Sequence, residues 1–400
     1  MIATFKPCRL SGTIDAPPSK SMAHRFLIGA ALSGKICTLS GVDYSEDILA
    51  TIDCLKALGA DITIAENQVT VNPAGFMQAE NPVLNCRESG STLRFFLPIA
   101  LCLQRPVVLQ GSRRLLERPL DVYEDICTDR GFSFQKEESA VTVCGNLSGG
   151  NYRLRGDISS QFISGLMFAL VYRNVKSTIK ILPPFESRSY VNLTISALQS
   201  FGANVQFSAP DTIEIAPSQL HAFQGSIEGD YSNAAFLDAF NYLSSDIDIE
   251  NLHTGSLQGD KLYPVYFQQI CDGSPVIDIS DCPDLGPVLI ALAALKGGAT
   301  LIGTDRLKVK ESDRGLAMHQ ELKKLGGGLI LGENSITVPK QNLQYRGKIL
   351  SGHNDHRIVM ALSVILATLG GSIEGVQAVR KSYPDFFDDI QKLGADVEIS

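Results

Sequence analysis

Tryptophan is absent from the 400 residues, and so are a CxxC pair, a Cys/His run with ligand spacing, a dinucleotide-binding glycine fingerprint and a Walker loop. The missing tryptophan carries no functional meaning. The other absences exclude a zinc ribbon, a Rossmann cofactor site and a P-loop nucleotide site. No carboxylate cluster has ligand spacing either, so neither a metal nor an organic cofactor is expected. The nine Cys are odd in number and scattered, which reads as reduced core thiols of a cytosolic protein rather than disulfides. Met1-Ile2-Ala3-Thr4-Phe5-Lys6 lacks the long apolar segment of a signal peptide, and a cytoplasmic location is expected. A net charge of −8 argues against a nucleic-acid partner, although a local basic cleft can sit inside an acidic protein.

What is present is a globular composition, 44% hydrophobic and 20% charged, in a chain too long for one ordinary core. Two domains are expected. Helix-stopping glycines recur at Gly59, Gly131, Gly202, Gly273, Gly326 and Gly394, roughly 70 residues apart and once closer, about right for a small βαβ-containing unit. Each suits a left-handed position just past a helix. The chain therefore reads as six copies of one plan: a polar loop, a short apolar helix, a strand, a charged loop, an amphipathic helix ending in Gly, then one or two strands. The apolar helices, clearest at 286–295 and 358–369, are hydrophobic nearly all round yet too short to span a bilayer. They must be surrounded, and sheets are the obvious cover. Pro98 is expected to kink the second of them or delay its start.

The loops that open these six helices carry Pro18-Ser19-Lys20-Ser21, Glu88-Ser89-Gly90-Ser91, Asp157-Ile158-Ser159-Ser160-Gln161, Asp230-Tyr231-Ser232-Asn233, Pro283-Asp284-Leu285-Gly286 and Asn354-Asp355-His356-Arg357. Small hydroxyls, Asp, Asn and Gly are capping residues, and capping is expected at all six. Capping leaves Lys20, Arg25, Gln161, His356 and Arg357 unexplained. Helix starts gathered at one end of a domain would form an electrostatic funnel for polyanions.

The loop after each repeat's strand adds charge: Arg113, Arg114, Glu117 and Arg118; Glu186, Ser187, Arg188 and Tyr190; Arg306, Lys308, Lys310, Glu311 and Arg314; Arg380 and Lys381. One such cluster is ordinarily a solvated loop. Four at matching positions of a repeat point to a substrate with several negative groups, since Arg forks bind carboxylate and phosphate bidentately. Asp284 and Glu311 sit among these cations, where two carboxyls can give and take a proton in turn. A salt bridge from Glu311 to its neighbours is the competing reading.

These residues resemble the enolpyruvyl transferases, and among them the 5-enolpyruvylshikimate-3-phosphate synthase family. The resemblance covers essentially the whole chain. It is carried by Lys20-Ser21 with Arg25, Ser89-Gly90-Ser91 with Arg94, Glu117-Arg118-Pro119, Ser159-Ser160-Gln161, Lys310-Glu311-Ser312-Asp313-Arg314, Asn354-Asp355-His356-Arg357 and Lys381 with Pro384-Asp385. It implies two inside-out α/β domains built from six βαβαββ-type units, with buried parallel helices surrounded by sheets. It also implies domain limits: 1–18 with 229–400, and 19–228, with the active site in the cleft between them. Shikimate 3-phosphate contacts are implied for Lys20, Ser21, Arg25, Ser159, Ser160, Gln161, Ser187, Tyr190, Asp284, Arg306 and Lys310. Phosphoenolpyruvate contacts are implied for Lys20, Gly90, Arg118, Gln161, Arg314, Arg357 and Lys381.

The implied reaction moves a carboxyvinyl group to the 5-hydroxyl of shikimate 3-phosphate by addition and elimination. Glu311 is the candidate acid, Asp284 the base, Lys20 a screen for phosphate and His356 a support for the acid–base network. A monomer acting on these two small molecules, without nucleic acid or membrane, is expected. Three residues depart from the family pattern: Arg306 stands where many relatives have Asn, Ser189 where Pro is common, and Glu88 where one branch has Asn. Arg306 is either a stronger phosphate contact or a side chain turned to solvent. The related UDP-N-acetylglucosamine enolpyruvyl transferases typically have Lys-Asn where this chain has Lys20-Ser21, and a non-catalytic sensor would not need both carboxyls.

Overall fold

The computed structural model describes residues 1–400, and the chain divides into two compact units, Met1–Pro17 with Gly229–Ser400, and Pro18–Glu228. Each unit has its own continuous hydrophobic core.

In the unit Pro18–Glu228 the central helices are Lys20–Leu32, Gly90–Ala100 and Ser160–Arg173. In the other they are Tyr231–Asn241, Gly286–Leu295 and His356–Leu369. Their sequences explain their position. In Gly286-Pro287-Val288-Leu289-Ile290-Ala291-Leu292-Ala293-Ala294 every residue is buried, so no face is left for water. At about 1.5–3 kcal/mol for each large apolar side chain removed from water, such a helix is stable only when enclosed.

Enclosure comes from six small sheets. Five have four strands and one plan, a parallel pair followed by two antiparallel neighbours; one example is Gln224–Ser226, Cys37–Ser40, Gln68–Asn72 and Asp61–Ala65. Alternation turns one face inward, as in Gln68–Asn72, where Val69 and Val71 are buried. The sheet of the last repeat is completed by the first strand of the chain, Ile2–Phe5, between Gly371–Glu374 and Val397–Ile399. The fourth repeat departs from the plan: Asp246–Glu250 pairs only with Ser11–Asp15 in a two-stranded sheet. The hairpin that should follow Gly273 is missing, which accounts for the one short interval between helix-stopping glycines. Gly273 is also the exception in conformation. Its φ of 174° is extended backbone, whereas Gly59, Gly131, Gly202, Gly326 and Gly394 all have φ between 68° and 101°.

Pro98 does not delay the start of its helix, which begins at Gly90 and runs on to Ala100 with Pro98 inside it. A proline lacks the N–H that would bond the carbonyl four residues back, here that of Arg94. The Tyr123 hydroxyl lies 2.7 Å from this carbonyl and 2.9 Å from that of Phe162, so its one proton is shared between them and stands in for the missing donor. Gly165 lets the two helices come this close, since a Cβ there would stand 2.2 Å from the Arg94 carbonyl and 2.4 Å from Tyr123 Oη.

Six of the cysteines are buried, Cys8 and Cys144 are half-buried, Cys271 is exposed, and all nine are unpaired. No helix is long and apolar enough to cross a membrane.

Candidate active site

Side-chain capping occurs at four of the six central helices. Ser89, Ser159, Asp230 and Asp355 accept from the backbone N–H of Thr92, Gln161, Asn233 and Arg357. Ser19 is in cap position without making that bond. Asp284 lies in a short 3-10 turn, Pro283–Leu285, ahead of its helix and is committed elsewhere. The expectation of six caps is thus corrected to four.

In the unit Met1–Pro17 with Gly229–Ser400, Arg314 begins the helix Arg314–Lys324 and is 1% exposed. Its guanidinium forks three ways. Nη1 donates to Asp284 Oδ1 at 2.8 Å, Nη2 to Glu311 Oε2 at 2.9 Å, and Nε to Asp355 Oδ2 at 2.9 Å. Asp284 also takes Lys310 Nζ and Arg357 Nη2, both at 3.1 Å, and Arg357 donates to Ser232 Oγ at 2.9 Å. Asp355 further accepts from Ser312 Oγ at 3.0 Å and from the Arg357 N–H at 3.0 Å. Lys381 Nζ donates to the Asn354 carbonyl at 2.6 Å. His356 is buried, with Nδ1 at 3.9 Å from Asp355 Oδ1.

Charge and burial compete here. Burial alone would raise the Asp284 pKa, but Arg357, Lys310 and Arg314 outweigh it and hold the carboxyl well below its usual range. Lys310 is driven the other way, down to about 8, chiefly by burial, against the pull of Asp284 and with the push of Arg314 and Arg306. Arg306 is 5% exposed, which removes the solvent-facing alternative.

In the unit Pro18–Glu228, Lys20 Nζ pairs with Asp47 Oδ2 at 2.9 Å. Arg25, 2% exposed, ties Ser21 and Tyr190 together through their carbonyls, at 2.6 and 3.1 Å, and donates to Thr194 Oγ1 at 2.7 Å. Burial draws its pKa down to about 10. Gln161 is clamped from both ends: its Oε1 accepts from Arg94 at 2.8 Å and its Nε2 donates to Ser91 Oγ at 2.9 Å. Arg118 presses against Gly90, where a Cβ would stand 2.7 Å from Nη1, so a larger residue there would push the guanidinium aside. Ser159 and Ser160 are buried at the start of their helix. Ser187, also buried, precedes the helix Arg188–Ser200 with φ of 50°.

Within one unit Asp284, Lys310, Glu311, Arg314 and Arg357 thus form one contiguous cluster, with Lys381 linked to it through the loop residues Asn354 and Asp355. Within the other, Ser21, Arg25 and Tyr190 form one group, and Gln161, Gly90 with Arg118, and Lys20 make separate contacts. Three contributors escaped the sequence reading of the site. Asp47 carries no signal, being 27 residues from Lys20. Arg94 and Asp355 sit inside motifs already singled out, and their fixed spacing from Gly90 and Arg357 was the available clue.

The fold is that of known enolpyruvyl transferases. An EPSP synthase from Acinetobacter baumannii superposes with a TM-score of 0.80 at 22% identity, covering 100% of this chain and 99% of that one. The enolpyruvyl transferase NikO from Streptomyces tendae gives 0.79 at 15% identity, covering 99% and 98%. Sequence narrows the class. Residues 5–390 match the family described as EPSP synthase (3-phosphoshikimate 1-carboxyvinyltransferase). A 3-phosphoshikimate 1-carboxyvinyltransferase from Clostridium kluyveri is 38% identical over 99% of this chain and 98% of its own length. One from Clostridium novyi is 36% identical over 98% and 97%. The chain belongs to the EPSP synthase family.

Proposed function

We propose that, in this carboxyvinyl transferase of the shikimate pathway, the Arg314 cluster both binds phosphoenolpyruvate and moves the protons. The enzyme transfers the carboxyvinyl group of phosphoenolpyruvate to shikimate 3-phosphate and releases phosphate, a step of aromatic amino-acid biosynthesis. Shikimate 3-phosphate and phosphoenolpyruvate each carry a carboxylate and a phosphate, so four anionic groups need cations. The observation that carries the reading is Asp284, a carboxylate shared by Arg314, Lys310 and Arg357 within 3.1 Å. Three cations converge on this one acid while Arg314 is shared with Glu311 and Asp355, and the anionic groups of the substrates can compete with these carboxylates for the same cations.

Arg118, Arg314, Arg357 and Lys381, with Lys20, Gln161 and the Gly90 amide, engage phosphoenolpyruvate. Ser21, Arg25, Ser159, Ser160, Gln161, Ser187, Tyr190, Arg306, Lys310, Lys20 and Asp284 engage shikimate 3-phosphate. The units 1–18 with 229–400 and 19–228 act as two domains, each supplying part of both sets. Once substrate anions draw Arg314 away, Glu311 takes up a proton from solvent, and in the addition step it gives that proton to the methylene carbon of phosphoenolpyruvate while the 5-hydroxyl oxygen bonds to the enol carbon and its proton passes to Asp284. In the elimination a carboxylate removes a proton from the new methyl group, the double bond re-forms, and the C–O bond to phosphate breaks. Asp284 is a weak base while three cations hold it. Substrate anions drawing those cations away restore its basicity, so proton transfer waits for both substrates. His356, packed behind Asp355, supports the acid–base network.

A phosphoenolpyruvate analogue such as glyphosate competes for the Gly90 and Arg118 subsite. The enzyme works as a monomer in the cytoplasm, in keeping with its nine unpaired thiols. The test is release of inorganic phosphate from purified protein with both substrates, with either alone, and with a chelator added. Release that requires both substrates and survives the chelator supports the reading. Retention of full turnover by Glu311→Gln removes Glu311 from the mechanism.

A further inference from the structure

The loop 352–355 is held in an unusual shape. His353 and Asn354 are consecutive non-glycine residues with φ of 48° and 52°, an uncommon left-handed pair that His and Asn tolerate better than most residues and that surrounding contacts hold in place. The enforcing contact comes from the helix that begins with Arg314, two turns further along. Glu321, on the helix Arg314–Lys324, is 1% exposed, and its carboxylate takes three donors. Ser351 N–H reaches Oε2 at 2.8 Å, Lys324 Nζ reaches Oε2 at 2.7 Å, and His353 Nε2 lies 2.8 Å from Oε1. An ionised carboxylate only accepts, so Nε2 is the nitrogen that carries the proton. Two further bonds complete the turn: His353 N–H to Ser351 Oγ at 3.3 Å and Asp355 N–H to the Gly352 carbonyl at 2.9 Å.

What the loop carries gives the brace its purpose. The Asn354 carbonyl fixes Lys381 at 2.6 Å, and Asp355 fixes Arg314 and the first turn of the helix that bears Arg357. We infer that Glu321 and His353 are positioning residues, a buried carboxylate–imidazole brace that sets Lys381, Arg314 and Arg357 at the spacing phosphoenolpyruvate requires. The inference rests on the assignment of those three cations to phosphoenolpyruvate. The brace touches no substrate. It acts by fixing a backbone carbonyl and a helix cap, so its loss displaces cations without removing any.

Three variants separate this from a merely structural role. His353→Asn suits a left-handed backbone but is too short to reach Glu321. His353→Gln keeps a donor near the position of Nε2. Glu321→Gln leaves the loop backbone untouched and weakens the brace, and serves should His353→Asn fold poorly. Each is assayed with one substrate varied at a time, alongside its melting temperature. For His353→Asn and Glu321→Gln the KM for phosphoenolpyruvate rises about tenfold or more, within the roughly hundredfold that a 1 Å misplacement can cost, while that for shikimate 3-phosphate changes less than about twofold. His353→Gln recovers most of the loss. A change confined to the KM for shikimate 3-phosphate overturns the assignment of the cations and leaves the brace standing. A lowered melting temperature with both KM values unchanged overturns the brace.

Discussion

Replacing Arg314 by Met removes one charge from the middle of three carboxylates, and the structure says which of them suffers. Asp284 keeps Lys310 and Arg357 at 3.1 Å and is 18% exposed, so it stays compensated. Glu311 is 16% exposed and can rehydrate in part. Asp355 is 0% exposed and loses its only guanidinium fork, retaining the Ser312 hydroxyl and one backbone N–H. Breaking a buried pair by removing one partner costs about 3–5 kcal/mol, because the other charge remains in low dielectric. For a unit of this size each kcal/mol is worth roughly 2–4 °C, so Arg314→Met should lower the melting temperature of its unit by about 6–20 °C. Arg314→Lys keeps the charge but not the fork, can serve one carboxylate well, and should fall between. The gap between native and variant protein should narrow in acid. Asp284 is held below its ordinary pKa, so its stabilisation is present at neutral pH and is lost as pH falls through the lowered value, and Arg314→Met has less of it to lose. Thermal melts followed by circular dichroism across pH check all three statements. A drop of under about 2 °C for Arg314→Met, or equal drops for the Met and Lys variants, would refute the idea that a shared guanidinium compensates buried charge.

Two further outcomes follow from single contacts. Lys310, drawn down to about 8, is charged below that pH and loses its charge above it, so kcat/KM for shikimate 3-phosphate should fall through an alkaline limb near 8. Lys310→Arg should move the limb out of range; a limb unchanged in that variant assigns it to another group. The same shift makes the charged amine a burden on stability below pH 8 that lightens as pH rises toward its unfolded value. Tyr123→Phe leaves the Arg94 carbonyl without a donor opposite Pro98 and should cost about 1–3 kcal/mol. Adding Pro98→Ala restores an N–H at that position, and denaturant titration should show the double variant more stable than Tyr123→Phe alone. Equal losses would mean the hydroxyl is not replacing the helix bond.

The repeat was legible because its punctuation is local. A glycine after an amphipathic helix and an apolar helix with no polar face are each visible within a dozen residues, and both locate the elements correctly. What escaped depends on distant partners. Pro98 reads as a late helix start until the helix is seen to begin at Gly90, and nothing local shows that Tyr123, 25 residues on, stands opposite it. The fourth repeat reads like the others until its strand Asp246–Glu250 is seen to pair with Ser11–Asp15 alone. In the candidate site the cations were legible as types at recurring positions, and Asp284 and Glu311 as acids among them. Their arrangement was not, because a charge run does not say whether it faces water. The Glu311–Arg314 bridge, three positions apart, is the local competing reading and is present, whereas the other arms of the Arg314 fork, the clamp of Arg94 on Gln161 and the Lys20–Asp47 pair join residues 30, 41, 67 and 27 positions apart, and only folding brings them together.

The central claim is that carboxylates held among substrate-binding cations give a proton to phosphoenolpyruvate and take one back. Running the reaction in deuterium oxide and analysing the transferred group by mass spectrometry tests it most directly. Protonation of the methylene carbon to a methyl group, followed by loss of one of its hydrogens, leaves deuterium on the carbon of the product. Glu311→Gln should slow this labelling together with phosphate release. Product formed at full rate with no deuterium on that carbon would contradict the account, because the group would then have been transferred without any proton passing through these carboxylates.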